Sequence, residues 1–270
     1  MTSSVSMAGE VELADWRRQV CELYASVRQS PDPQLAHLPW RSGRDRLFQE
    51  HSQSPLSPED PLRAGLRYAA YDPALRWQLA VQYATSDQRA RIETGPGERT
   101  DLRLVGHLNL PAPIHARIGV WWLEQYGGGL FIPIRDRTAG STSYGGGRYL
   151  IDTTKGADLG SRHGSVTADL NFLYHPSCRY DPQWQCPLAH PQNTIAAPIH
   201  AASSSRCHAR ARCRHDEGRR SFGRVGRGPP TRVRGHRPRV TRAHAYRTRP
   251  PNQPPGTAQR ETGSGSSAAR

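Results

Sequence analysis

Short apolar segments separated by turn residues fill the middle of this chain, and they limit most strongly what it can fold into. Between residues 66 and 174, segments with strand character are interrupted by turn residues about every eight to twelve positions, without helical periodicity between them. Strands in this number and spacing are typical of an antiparallel β-sandwich or a small barrel. About eight strands are predicted, over residues 66–71, 75–83, 89–94, 102–110, 117–126, 130–134, 149–152 and 166–174.

The first 65 residues have a different pattern. Apolar residues recur at three- and four-residue spacing over residues 11–27, which predicts an amphipathic helix that ends before Pro33. A second, short helix is predicted to start with Ser42 as its N-cap and to add apolar side chains to the same core. A Ser- and Pro-rich loop follows over residues 51–61. The predicted class is therefore mainly β with an N-terminal helical segment, or α+β.

The composition changes abruptly after residue 200. Residues 201–270 contain 17 Arg, no Lys and three acidic residues, so their net charge of +14 equals that of the whole chain. Apolar residues able to build a core almost vanish there, and such a segment cannot offset the entropy lost on ordering. We therefore expect a helical segment at 1–65, a β-rich core at 66–200 and a disordered Arg-rich tail at 201–270.

The basic tail admits two interpretations. Its charge would bind nucleic acid or another polyanion without sequence specificity. Basic tails usually mix Lys with Arg, however, whereas this segment combines Arg with Ala, Pro, Gly and His, as GC-rich DNA translated out of frame would. A frameshift near codons 200–205 is the favoured interpretation, and reading the coding DNA in the other two frames would test it.

The N-terminus and the cysteine content bear on the cellular location. The first residues lack the basic start and apolar run of a signal peptide, and no segment approaches the roughly 18–20 apolar residues of a membrane span. Five cysteines in such a chain favour reduced thiols over a disulfide framework. We expect a cytoplasmic, soluble protein without a membrane partner.

A glycine-rich segment at 145–147 leads directly into the strand near Arg148. A phosphate-binding loop would need a Gly-Lys-Ser/Thr ending and a following helix, and a dinucleotide fingerprint would need spaced glycines that open a helix. Neither is present, so the glycines permit either a bulge or close backbone approach, or contact with a ligand. A guanidinium between Gly and Leu is expected to be partly buried and to need a carboxylate, with Asp136 as first candidate and Asp169 as second.

Two cysteines lie between two histidines, in the pattern His175-x2-Cys178-x7-Cys186-x3-His190. These residue types can bind zinc tetrahedrally, but the spacing is not that of a common zinc module and there is no Cys-x2-Cys knuckle. We therefore expect no metal and no other cofactor. Cys178 and Cys186 are instead candidates for buried structural thiols or for a redox-active pair.

The polar residues of this central region form one composite motif. It consists of Asp136-x-Thr138-x-Gly140, Tyr144-Gly145-Gly146-Gly147-Arg148-Tyr149-Leu150, Asp169-x-Asn171, Tyr174-x-Pro176-x-Cys178, and Cys186-Pro187-Leu188 followed by Asn193. Over about residues 15–201 the chain closely resembles the bacterial family called domain of unknown function 1684. The resemblance implies membership of a family without an established activity, so no mechanism follows from it.

The chain departs from that family's pattern at several positions. The family usually has Asn-Pro at His175-Pro176 and consecutive prolines at Ala189-His190-Pro191, so both histidines of the hypothetical zinc site are peculiar to this copy. Its Glu-Asn-Arg is here Gln192-Asn193-Thr194, and its closing Ala-Gly-Glu is here Ala201-Ala202-Ser203. If those charged groups carry chemistry, this copy is expected to be impaired.

Three hypotheses of function follow. The first is a cytoplasmic β-rich module that binds a small polar or anionic molecule in a cleft, because the polar residues include no evident pair of nucleophile and base. The second is a hydrolase-like enzyme with Asp136 or Asp169 as general base and Arg148 stabilising negative charge. The third, nucleic-acid binding, rests on the tail alone. The candidate ligand-binding residues are Asp136, Tyr144, Gly146, Arg148, Asp169, Asn171 and Tyr174, and the structural or redox candidates are Cys178, Cys186 and Asn193.

Overall fold

A computed structural model describes residues 7–95 and 97–204. The helices of this part are α1 (Met7–Gln29) and α2 (Pro33–Glu50). The strands are β1 (Arg76–Ala80), β2 (Gln82–Tyr83), β3 (Arg89–Gly95), β4 (Glu98–Leu110), β5 (Ala116–Leu123), β6 (Leu130–Ile134), β7 (Arg148–Asp152), β8 (Ser161–Arg162) and β9 (Ser165–Asp169). The Arg-rich tail predicted from composition lies outside the described residues, except for its first four positions.

The strands form two antiparallel sheets. In the larger sheet the strand order is β2-β4-β5-β6-β7, and β3 pairs with the other end of the long β4. The smaller sheet has the order β1-β9-β8. The α+β class with antiparallel sheets, predicted from the spacing of the apolar segments, is confirmed.

Two clusters of buried side chains hold these layers together. The first joins the two helices to the larger sheet, with Tyr24 and Trp40 packed against residues such as Trp121 of β5. The second contains Ile118 of the same strand together with Ala168 of the smaller sheet. The larger sheet therefore contributes to both clusters, and every residue of its edge strand β7 is buried. A polar residue on β7 must consequently find its partners inside the protein.

The second helix is longer than predicted and begins earlier. The prediction that it starts with Ser42 as N-cap is wrong, because α2 begins at Pro33 and its N-cap is Asp32. The Asp32 carboxylate accepts hydrogen bonds from the backbone N–H groups of Gln34, at 2.8 Å, and Leu35, at 3.3 Å. A proline in the first turn is compatible with a helix because the N–H that it lacks would have no partner within the helix. Pro33 therefore starts a helix here.

Three strand predictions differ from the structure. Residues 66–71 form no strand, only a bridge between Tyr68 and Ser203. The strand predicted at 75–83 is divided into β1 and β2, and the one predicted at 166–174 ends at Asp169. The Asp169 carboxylate accepts a hydrogen bond from the backbone N–H of Asn171, which starts a 3-10 turn over Leu170–Phe172. A short polar residue thus caps a turn where apolar composition alone predicted a continuing strand.

The last described residues belong to the folded core. Ile199, Ala201 and Ala202 are buried in the second cluster. The backbone N–H of Ala69 donates to the carbonyl of Ala202, and that of Ser203 donates to the carbonyl of Leu173. The predicted domain boundary after residue 200 falls inside this buried segment. Within the described part of the chain, no helix has the length and apolar character needed to cross a membrane.

Candidate functional site

Arg148, the first residue of β7, forms a buried ion pair with Asp136. The distance from Nη2 to Oδ2 is 2.6 Å, and the two side chains are 3% and 2% exposed. The same guanidinium donates to the carbonyls of Ala201, at 2.7 Å, Ser203, at 3.1 Å, and Ile199, at 2.9 Å. The predicted ion pair is therefore confirmed, and Arg148 also fastens the C-terminal segment to the sheet.

Asp136 is held by further donors besides Arg148. Its Oδ1 accepts from the backbone N–H of Thr138, at 3.0 Å, and from the Thr138 hydroxyl, at 2.6 Å. Its Oδ2 also accepts from the backbone N–H of Ile199, at 2.9 Å. Both oxygens are thus engaged inside the protein. A carboxylate in this position stabilises the β6–β7 connection and has little capacity left to take a proton from a substrate.

The glycine before Arg148 allows two backbone segments to approach closely. Gly147 has a φ of +92°, and a Cβ on it would lie 2.6 Å from the carbonyl oxygen of Ile134. A side chain at this position would therefore strain the backbone and push β6 and β7 apart. This observation accords with the close backbone approach considered from the sequence.

Asp169 and Asn171 form a second, separate network. Asp169 accepts from the Tyr71 hydroxyl, at 2.9 Å, and from the Asn171 side-chain amide, at 2.8 Å. Arg76 approaches its carboxylate to 3.5 Å. The Asn171 amide also bonds both the backbone N–H and the carbonyl of Asp72, each at 2.8 Å. Burial raises the pKa of Asp169, while hydrogen bonds from Asn171 and Tyr71 oppose that shift. The network fixes the turn before β1 and shares no residue with the Arg148 network.

The other candidate ligand-binding residues lie elsewhere again. The Tyr144 hydroxyl is 3.9 Å from the Cys178 sulfur. A Cβ on Gly146 would lie 2.6 Å from the Tyr144 ring. Tyr174 packs in the first core cluster, with its ring centre 5.6 Å from that of Tyr149. The seven candidates are therefore distributed over several local networks of the described residues.

The side chain of Asn193 lies between β5 and β6 and hydrogen-bonds to both strands. Its side-chain oxygen accepts from the backbone N–H of Gly119, at 3.2 Å, and from Trp121 Nε1, at 3.0 Å. Its amide donates to the carbonyls of Gly119, at 2.9 Å, and Pro133, at 2.7 Å. The side chain is fully buried, and both its oxygen and its amide nitrogen are used to join β5 to β6.

Arg44 is a buried charge that is not among the candidate site residues predicted from the sequence. It lies on α2, is 4% exposed, and its guanidinium is 5.0–5.3 Å from the ring centres of Trp40, Phe48 and Tyr174. No carboxylate oxygen of the described residues comes within 4.0 Å of it, and its Nε has no hydrogen-bond partner there. Asp45, its neighbour in sequence, instead accepts from the backbone N–H of Leu66, at 2.9 Å.

The groups around Arg44 cannot neutralise its charge. The nearby hydroxyls belong to Tyr24, Tyr68 and Tyr180, and burial raises the pKa of each of them. They are therefore uncharged at neutral pH. An unpaired buried guanidinium is costly unless an anion or several acceptors compensate it. The ring faces of three aromatic side chains supply only part of that compensation.

A small cavity of about 20 Å³ lies next to this region. It is lined by Leu62, Leu66, Arg67, His175, Arg179, Tyr180, Ser203 and Ser204. Arg67 is exposed and Arg179 half-buried, whereas His175 and Ser203 are buried. The Ser203 hydroxyl is among the buried polar atoms without a partner in the described part of the chain. The lining of the cavity thus combines two arginines with one unsatisfied hydroxyl, that of Ser203.

The pKa of His175 is affected by the positive charges near this cavity. Burial is the largest cause that lowers its pKa to about 3, and the guanidinium groups of Arg148, Arg179 and Arg44 contribute in the same direction. Its Nε2 accepts a hydrogen bond from the backbone N–H of Tyr144, at 3.3 Å. The neutral ring therefore carries its proton on Nδ1. Because Asp136 pairs with Arg148, the unpaired guanidinium groups nearest this ring are those of Arg179 and Arg44, and Arg67 adds a further positive charge to the lining of the cavity.

A comparison with models of protein families gives one match. The model described as "Protein of unknown function (DUF1684)" matches residues 64–203, which is just over half of the sequence. The chain belongs to the DUF1684 family. The match ends at Ser203, the last residue whose carbonyl binds Arg148. The resemblance noted from residue 15 to residue 63 lies outside the matched range.

Among solved structures, this DUF1684 protein is similar to an uncharacterized protein of Haloarcula marismortui determined by solution NMR. The two share 28% sequence identity with a TM-score of 0.46, over 62% of this chain and 91% of the other. A comparison with curated proteins gives no match.

The hypothetical zinc ligands do not converge. His175 bonds the backbone of Tyr144, and the ring of His190 packs 4.8 Å from that of Trp121. Among residues 7–95 and 97–204, no group of three or more His, Cys, Asp or Glu side chains is arranged to hold a metal ion. Cys186 is buried in the first cluster with Cys178 packed against that cluster, and the Tyr144 hydroxyl is 3.9 Å from the Cys178 sulfur.

Acidification is expected to destabilise the protein because two buried histidines resist protonation. Burial lowers the pKa of His37 to about 4 and that of His175 to about 3. The unfolded chain takes up these protons near pH 6.5, so the unfolded state binds more protons than the folded state and stability falls as the pH drops below that value. His175 alone should cost about 3 kcal/mol at pH 4. Chemical denaturation between pH 7 and pH 4 measures this loss.

The matched variant for this prediction is His175→Asn. Asparagine keeps an acceptor for the Tyr144 N–H but does not titrate. We expect the variant to lose less unfolding free energy between pH 7 and pH 4 than the natural chain, with His37 and the buried carboxylates of shifted pKa, such as Asp169, setting the remaining slope. An unchanged pH profile would show that His175 is protonated in the folded state and would contradict its burial as a neutral ring.

Proposed function

We propose that this DUF1684 protein binds a small anionic group in the basic cavity between residues 175–180 and the C-terminal segment. The observation that carries the proposal is Arg44, a buried guanidinium without a carboxylate partner beside a cavity lined by Arg67 and Arg179. An anion in the cavity would supply the missing negative charge. The exposed Arg67 would meet it first, and the half-buried Arg179 would hold it further in.

The chemistry of the lining residues favours an oxyanion. Guanidinium groups bind carboxylate, sulfate and phosphate oxygens through charge-assisted hydrogen bonds, often two at a time. At 4 Å from a single positive charge, an anion gains about 4 kcal/mol at the effective dielectric constant of a partly buried site. The partnerless Ser203 hydroxyl can add a donor that carries no charge.

The size of the cavity limits what enters it. A volume of about 20 Å³ admits only one or two groups the size of a water molecule. We infer that the cavity takes one or two oxygens of a single oxyanion, and that the remainder of the anion, with any larger molecule that carries it, lies outside near Arg67. A whole nucleotide or sugar does not fit within it.

Binding is better supported than turnover. Ser203 and His175 line the same cavity, which resembles a nucleophile beside a base. A histidine with a pKa of about 3 is a weak base at neutral pH, however, and its Nε2 already accepts from Tyr144. The carboxylates proposed as general bases, Asp136 and Asp169, are each held by several donors. Neither arrangement leaves an available base.

Inorganic phosphate is the probe that tests the proposal. At a phosphate concentration 100 times Kd, linkage stabilises the folded state by about 2.7 kcal/mol, which for a chain of this size raises the melting temperature by about 5–11 °C. Because phosphate also stabilises proteins in general by exclusion from their surfaces, the comparison must include variants at matched ionic strength. The informative variants are Arg44→Met and Arg179→Met, with the exposed Arg46→Met on the same helix as control.

The outcomes separate specific binding from general stabilisation. Arg179→Met should lose most of the phosphate response, and Arg46→Met should keep it. Arg44→Met should lose the response and, without phosphate, should be at least as stable as the natural chain, because an apolar side chain replaces an unpaired buried charge. Equal phosphate responses in all four proteins would contradict the proposal.

A further inference from the structure

We propose that β3 is the interaction surface for a second copy of this chain, which pairs with it as an antiparallel strand about a two-fold axis at Ile92. This inference is independent of the proposed anion site, because none of the residues that line that cavity lies on β3. It rests on a strand edge without a neighbour and on the order of the charges along that strand.

One edge of β3 has no neighbouring strand in the described part of the chain. The strand pairs with β4 on one side, and neither sheet of the described residues places a strand on its other side. The backbone N–H of Leu104 on β4 donates to the carbonyl of Gln88, at 2.8 Å. Because the backbone groups of an antiparallel strand point alternately to its two sides, those of Arg89, Arg91 and Glu93 point away from β4. A row of donors and acceptors with this direction can accept another strand.

The two faces of β3 limit how a second strand can align with it. Ala90 and Ile92 are half-buried and pack against the first cluster of the core. Arg91 and Glu93 lie on the opposite face, with side chains 61% and 80% exposed. A shift of one residue would turn the charged face of the second strand towards the core. The registers to compare therefore differ by two residues, and each such shift moves the two-fold axis by one residue.

The register with its axis at Ile92 brings opposite charges together. With the axis at Arg91 or at Glu93, that residue faces its own copy, so like charges meet. With the axis at Ile92, Arg91 faces the partner's Glu93 and Glu93 faces the partner's Arg91, while the two Ile92 side chains meet on the inner face. The outward-pointing backbone groups of Arg91 and the partner's Glu93 are then opposite each other, as a hydrogen-bonded pair requires.

Charges on β4 extend this match over four strands. Asp101 accepts a hydrogen bond from Arg91, at 2.5 Å, and Arg99 lies 3.9 Å from Glu93. The row across the interface consequently reads Asp101, Arg91, the partner's Glu93 and the partner's Arg99, with charges that alternate in sign. The two-fold axis repeats the row in the opposite direction. Charged residues on an edge strand usually prevent pairing, but this order of charges favours a second copy over a strand of another sequence.

The contact is small, so the association is expected to be weak and reversible. A pair of seven-residue strands buries less than the roughly 1,200 Å² at which specific, stable interfaces begin. We expect sedimentation velocity of the full chain at physiological ionic strength to show a shift from monomer to dimer between about 10 μM and about 1 mM.

Charge reversal on β3 tests the register. Arg91→Glu places like charges in both rows, and so does Glu93→Arg, so each variant should self-associate roughly 10- to 100-fold more weakly than the natural chain. The matched controls are Arg46→Glu and Glu59→Arg, which make the same changes of net charge at exposed positions outside β3. Both controls should self-associate like the natural chain.

A mixture of the two variants provides the most specific test. When Arg91→Glu is mixed with Glu93→Arg, opposite charges meet again in both rows, so the two variants should bind each other about as tightly as the natural chain binds itself. A chain with both substitutions should self-associate for the same reason. Circular dichroism melts establish that each variant is folded. The proposal would be overturned by a natural chain that stays monomeric up to about 1 mM, by unchanged self-association of the single variants, or by a mixture that stays monomeric.

Discussion

Replacing Arg148 with Ala is expected to lower the free energy of unfolding by on the order of 3–5 kcal/mol, because it leaves the Asp136 carboxylate buried without its counter-charge. The same change removes the donors that satisfy the carbonyls of Ile199, Ala201 and Ser203. For a folded region of this size, the melting temperature should fall by roughly 6–20 °C. Urea denaturation monitored by circular dichroism measures the free energy directly.

A double-mutant cycle assigns this loss to the ion pair. Asp136→Ala should cost a similar amount, because it leaves a buried guanidinium, and the double variant should cost less than the sum of the two single variants. The exposed Arg137→Ala, from the same segment, is the control and should change stability by less than about 0.5 kcal/mol. If both single variants were nearly neutral, Arg148 would not be held as described.

Truncation of the chain at residue 200 is expected to lower the free energy of unfolding by a similar amount. A chain that ends at His200 lacks the carbonyls of Ala201 and Ser203 and the burial of residues 201–203, so it should lose at least about 3 kcal/mol of unfolding free energy. A chain that ends at Ser204 should keep the stability of the full chain, because residues 205–270 offer few apolar side chains to bury.

Thermal melts of the two truncated chains and the full chain distinguish these expectations. Composition alone predicts that both truncations are tolerated, because the change in composition begins at residue 201. The contacts of residues 201–203 predict instead that a truncated chain keeps its stability only if it extends to residue 204. Equal stability of the two truncated chains would contradict the role of residues 201–203 in the core.

The sequence was sufficient for the fold class because strand periodicity is a local property. Most strands of the larger sheet lie within a few residues of their predicted positions. The second helix was misplaced because Pro33 was interpreted as ending a helix, although a proline in the first turn is compatible with starting one. Because of this misplacement, the burial of Arg44 was not predicted, although it shares the buried face of α2 with Trp40 and Phe48. If the helix had been predicted to begin at Pro33, its periodicity would have placed Arg44 among the apolar side chains of the buried face. The sequence alone was therefore enough to indicate a buried charge.

The candidate site could be predicted only in part, because its contacts are not local. Asp136 was found as the partner of Arg148, since the two flank one hairpin. The carbonyls that complete the network come from residues 51–55 positions further along the chain, in a segment without strand or helix periodicity. Similarly, Asp169 and Asn171 were grouped with Arg148 by their polar character, although they fix a different turn. Residue type indicates which groups need partners, and tertiary structure determines which partners they receive.

The binding of residues 199–203 by Arg148 has a consequence for the order of events during synthesis. The ribosome produces α1, α2 and the nine strands of the described residues before it adds the residues whose carbonyls satisfy this guanidinium. Until then the nascent sheet carries a charged edge strand that cannot be buried at low cost. The guanidinium can be satisfied completely only after residue 203 has been added, so closure of this part of the core is expected to be among the last steps of folding during synthesis.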